Sequence, residues 1–86
     1  MICNFGQIIR ENGENVIVRL DDGLFYIARA DKDSGHFYSA IPADHPKRGG
    51  RWIGPWTEDG LRFVAKGHSR AAADAQWRRH IEPLSA

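Results

Sequence analysis

Residues 60–84 read GLRFVAKGHSRAAADAQWRRHIEPL, and the interpretation of this stretch decides the fold. Leu61-Arg62-Phe63-Val64-Ala65 alternates in the manner of a strand. Gly67-His68 breaks it, Ser69 is a capping residue, and Arg70 to Glu82 reads as the single helix of the chain. Pro83 stops that helix. Within it Ala73, Trp77 and Ile81 recur at i, i+4, i+8 and form one apolar stripe. So short a helix is marginal alone in water, so its stripe needs a sheet to lie on.

The residues upstream supply that sheet. Gln7-Ile8-Ile9-Arg10 is a short strand candidate, and Met1 to Asn4 either begins a strand or leads into one. Asn12-Gly13 then predicts a type I′ hairpin turn, because both residue types tolerate positive φ. Asn15 to Leu20 is β-branched and alternating, with Val16, Val18 and Leu20 on one face. Asp22-Gly23 is a second turn. Leu24 to Ala30 carries apolar groups on both faces and is placed centrally: Phe25 and Ile27 on one, Leu24, Tyr26 and Ala28 on the other. After the polar loop Asp31 to Gly35, His36 to Ile41 forms a hairpin partner that Pro42 ends. Pro42 to Gly50 has no periodic signal and reads as an exposed loop. Arg51 to Trp56 is an edge strand, since Pro55 removes a ladder donor, and Thr57 to Gly60 is a turn. The expected fold is α+β, an antiparallel meander of five or six strands with one C-terminal helix packed on it.

At 86 residues there is room for one core, and 42% hydrophobic residues with 27% charged fit an ordinary globular domain. The lone Cys3 excludes an internal disulfide and is compatible with the cytoplasm. No apolar run approaches the roughly 18 residues of a membrane span, and no signal peptide is expected. Net charge is +1 but polarised: residues 1–44 hold four Lys/Arg against seven Asp/Glu, residues 45–86 eight against four.

Most reactive constellations are missing. None of the nine glycines builds a phosphate-cradling pattern, and there is no nucleophile elbow. Cys3 has no activating context for a Cys–His pair. His36, His45, His68 and His80 are spaced by 9, 23 and 12, which matches no metal pattern. Asp31-x-Asp33-x-Gly35 lacks the later ligands of a calcium loop, and its carboxylates suit a turn. No enzyme, metal or cofactor is expected.

Two features remain. Lys47, Arg48, Arg51, Trp52 and Trp56 form a basic-aromatic cluster within ten residues. Such residues stack bases and grip phosphates, or anchor a protein contact. They also fit a bland alternative in which the tryptophans are core. In the last strand, if Leu61, Phe63 and Ala65 face the helix, Arg62, Val64 and Lys66 face outward. Arg70, Arg78 and Arg79 add positive charge, and Asp74 is placed to pair with Arg78.

Gly6-Gln7-Ile8-Ile9, Gly13, Val16 to Leu20 and Asp21-Asp22-Gly23 resemble the opening of an SH3-like small barrel of translation and RNA-associated proteins. In build, Arg51 to Ile81 resembles the small sheet-plus-helix proteins of phages and mobile elements, anti-CRISPR inhibitors and integrase arm domains among them. That resemblance implies a non-catalytic inhibitor or adaptor occupying a surface of a larger protein or nucleoprotein. The alternative is a nucleic-acid-binding module using the basic second half, for which the net charge is modest. Either works off the membrane, and an open sheet edge would permit a homodimer.

Overall fold

A computed structural model describes residues 4–41 and 53–85. Five strands form one antiparallel sheet in sequential order: β1 (Gln7–Asn12), β2 (Asn15–Arg19), β3 (Phe25–Asp31), β4 (His36–Ser39) and β5 (Ile53–Pro55). Two helices follow, α1 (Glu58–Val64) and α2 (Arg70–His80), and a 3-10 turn at Glu82–Ser85 contains Pro83. The α+β class and the meander are as expected; the second helix is not. No helix among the described residues is long and apolar enough to cross a membrane.

Turn chemistry sets the meander. Gly13 (φ 63°) alone takes positive φ in the first hairpin, so the turn lacks the two positive φ values of type I′. It fits type II′, which needs only its first central residue there. Gly23 (φ 78°) closes the second hairpin, where Asp22 Oδ1 accepts from the Leu24 amide at 2.9 Å. In the third connection Asp31 Oδ1 accepts from the Asp33 amide at 3.0 Å, the turn role expected of that carboxylate. That bond, first among several to the carboxylate, holds the Asp31 carboxyl below its ordinary value.

The pleat then divides the side chains between two cores. Val16, Val18, Leu20, Tyr26, Ala28, Ala30 and Phe37 point to one face. Ile17 and Ile27 point to the other, where they meet Ala73, Trp77 and Ile81 of the α2 stripe. Trp77 is 2% exposed, so α2 is seated as its periodicity predicts. Its cap is Ser69, whose Oγ accepts from the Ala72 amide at 3.2 Å. The β1–β2 register shifts between Ile8 and Arg10, a bulge at Ile9. Ile8 joins the first core and Ile9 the second, and the shift brings Arg10 to the face of Ile9 and Ile17. Arg10 then pairs with Asp74 at 3.3 Å and lies over the Trp77 ring at 5.8 Å. Asp74 therefore ties α2 to β1 and forms no local pair with Arg78.

The strand expected at Leu61–Ala65 is instead the body of α1. Thr57, read as a turn residue, is its N-cap, with Oγ1 accepting from the Gly60 amide at 3.0 Å. Glu58 and Asp59 sit in the first turn, where the helix dipole favours negative charge. The buried apolar side chains are Leu61 and Val64, spaced i, i+3, and Ala65 at the C-cap. The alternation that put Phe63 inside and Val64 outside fails: Phe63 is 42% exposed and Val64 fully buried. α1 covers the first core, so the two helices lie on opposite faces of the sheet.

Two close approaches lock this arrangement. A Cβ on Gly54 would overlap the Gly60 carbonyl, and one on Gly60 would overlap the Pro55 carbonyl, so β5 and α1 meet backbone to backbone. Beyond α1, His68 pairs with Phe25 through two backbone hydrogen bonds of 2.8 and 2.9 Å. That single bridge is the only trace of a sixth strand among the described residues.

Candidate binding surfaces

Of the residues expected to bind a partner, Trp56, Arg62 and Lys66 are among the described residues. Lys47, Arg48, Arg51 and Trp52 lie outside the described residues, as does the whole loop Pro42 to Gly50. Trp56 is half-buried beside the first core, with its ring 6.4 Å from Phe37, which Phe5 meets edge-on. Its indole Nε1 is buried and has no hydrogen-bond acceptor among the described residues. Lys66 is exposed just after α1.

Arg62 is exposed, yet its guanidinium is engaged within the chain. Nη1 donates to Asp22 Oδ2 at 2.9 Å and to Tyr26 Oη at 2.8 Å. Nε reaches Glu58 at 3.4 Å, and the guanidinium lies 5.4 Å from the Tyr26 ring centroid. Tyr26 Oη in turn donates to Asp22 Oδ2 at 2.6 Å. This network fastens α1 to the β2–β3 turn. Hydrogen bonds from Tyr26 and the Leu24 amide, with Arg62 beside them, hold the Asp22 carboxyl below its ordinary value. Burial and the bond to Asp22 push the Tyr26 hydroxyl up, while Asp22 pushes Arg62 further up. Hairpin turns alternate between the two ends of a meander, so Arg62 and Trp56 serve opposite ends of one face.

On the α2 face, ladder pairing aligns Arg29, Tyr38 and Ile53 in a row across β3, β4 and β5. The Arg29 guanidinium stacks on Tyr38 at 4.7 Å, and Ile53 at the sheet edge is 49% exposed. Arg29 Nε is buried without an acceptor among the described residues. Neither Arg29 nor Ile53 is singled out by sequence. The available signal was alternation, which puts every second side chain of each strand on this face.

On the α1 face a cavity of about 400 Å³ opens at the end carrying the β1–β2 turn and the β3–β4 loop. Ile8, Val16, Ala30 and Trp56 give it apolar walls; Glu11, Glu14 and Lys32 give it charge. No group of three metal-ligating side chains exists among the described residues. A smaller depression of about 250 Å³ lies by Gly6, Arg19 and Asp21. No protein-family model, curated protein or solved structure matches the chain.

Proposed function

We propose that this chain is a non-catalytic binding protein, an inhibitor or adaptor of the phage anti-defence (anti-CRISPR-like) kind that occupies a surface of a larger protein or nucleoprotein. The observation that carries this reading is the Arg29–Tyr38–Ile53 row. An arginine stacked on a tyrosine beside an exposed isoleucine has the composition of an interface centre. The row ends at Ile53 on the edge strand β5, and Ile53 directly follows Arg51 and Trp52 in the chain. Arg62 contributes to holding the fold, and the contact surface moves from α1 to the β4–β5 side.

The test is affinity capture from host lysate, with the stoichiometry of the captured complex measured. One stoichiometric partner, lost with Ile53→Asp and with Trp52→Ala while melting temperature is retained, supports the reading. Capture that is absent, or unchanged in both variants, overturns it.

A nucleic-acid-binding module is the second reading, because an Arg–Tyr stack on a sheet face also suits base stacking, and the second half of the chain is basic. It requires affinity for generic DNA or RNA that falls with salt, with a slope reduced by Arg48→Ala or Arg51→Ala. Absence of binding at low salt removes it.

A further inference from the structure

We infer that the cavity on the α1 face is a second binding site, one that takes a singly charged ammonium or guanidinium group on an apolar stem, as at the end of a lysine or arginine side chain of a basic peptide. It lies across the sheet from the Arg29–Tyr38–Ile53 row and does not depend on it.

The volume, about 400 Å³, is at the small end of ligand pockets and suits a side chain rather than a folded surface. The walls set the chemistry. Ile8, Val16 and Ala30 offer apolar contact to a methylene stem. Trp56 brings the aromatic ring that holds cations best, and a cation near its face is attracted by the ring quadrupole. Glu11 and Glu14 reach the same cavity from either side of Gly13, and neither has an ion pair or hydrogen-bonded side chain among the described residues. Lys32, from the β3–β4 loop, offsets one of the two carboxylates, leaving a single negative charge to be matched. An anionic guest would face two carboxylates, and a neutral one would leave one of them without a counter-charge.

The fold explains why these groups meet. Glu11 pairs with Val16 across the first hairpin, and Val16 with Ala28 across the second, so all three share the pleat face of Ile8 and Ala30. α1 covers the other end of that face, where Arg62 ties it to Asp22. Trp56, in the link from β5 to α1, forms the boundary between the covered and the open part.

The experiment is a titration of the ¹⁵N-labelled full chain with n-butylammonium chloride, followed through the Trp56 indole and Gly13 amide resonances. Sodium butyrate and calcium chloride are titrated in parallel. The expected result is a saturable shift with a millimolar Kd for butylammonium and none for butyrate. Glu11→Gln and Glu14→Gln each weaken binding by about threefold or more, and Lys32→Gln tightens it, with melting temperatures unchanged. The opposed signs distinguish charge recognition from general loosening. No shift up to about 50 mM, an equal response to butyrate, saturable binding of calcium in place of the ammonium, or indifference to all three substitutions overturns the assignment.

Discussion

Replacing Gly60 with alanine sets an ordinary helix preference against a contact specific to this fold. Inside an exposed helix the change stabilises by up to about 1 kcal/mol, because glycine has the larger backbone entropy to lose. In α1 the new methyl would overlap the Pro55 carbonyl oxygen and lie 2.8 and 2.9 Å from the Pro55 nitrogen and carbonyl carbon. All three are backbone atoms that cannot rotate away, so the helix must lift from β5. Lifting it disturbs Leu61 and Val64, both fully buried. Overpacking of this kind costs roughly 1–3 kcal/mol. A clash with three immobile backbone atoms falls in the upper part of that range, about 2–3 kcal/mol, leaving a net loss of about 1–2 kcal/mol after a propensity gain of about 1 kcal/mol. For a domain of this size that corresponds to a melting temperature lower by about 4–16 °C. Thermal and urea unfolding followed by far-UV circular dichroism measures it. Gly54→Ala places its methyl against the Gly60 Cα and carbonyl, in the same gap. Once α1 has lifted, the second methyl finds room, so the double variant should lose less than the two singles together. A Gly60→Ala protein as stable as the parent, or more so, would refute the seating of α1 on β5.

Two further outcomes follow from the same packing. Trp77→Ala empties the centre of the second core and should cost about 3–5 kcal/mol, enough to consume much of a small domain's stability and collapse the near-UV dichroism; a cooperative transition within a few degrees of the parent contradicts it. The Asp22 carboxyl is lowered in the folded state, first by Tyr26, so its contribution is present above the ordinary carboxylate range and is lost as pH falls through the folded value. Asp22→Asn should therefore flatten the acid limb of melting temperature between about pH 5 and 2, and superimposable acid limbs would rule this out.

How much of this was legible in sequence differs sharply along the chain. All five described strands and the α2 stripe were readable, because Gly13, Gly23, the edge-strand signal of Pro55 and the alternation of Val16, Val18 and Leu20 express local preferences that no distant contact opposes. The segment from Leu61 to Ala65 was not. Its apolar residues fit a strand through Leu61, Phe63 and Ala65 and a helix through Leu61, Val64 and Ala65 equally well. The Thr57 cap with Glu58 and Asp59 was the signal that pointed to the helix. Candidate sites were harder still. Sequence proximity joined Trp56 to the arginines before it, whereas the fold brings Trp56 to Glu11 and Glu14 some forty residues away.

By itself, then, the sequence determined the hairpins, the sheet they build and the face that α2 buries, since turn geometry and hydrophobic period are local properties. Tertiary structure decided that Glu58–Val64 is a helix, that it covers the opposite face, and that Arg62 is engaged internally. The reason is that a seven-residue segment is too short to hold either conformation alone. It takes the one that buries Val64 on a face already formed by Val18, Tyr26 and Phe37, approached closely enough only because residues 54 and 60 are both glycine.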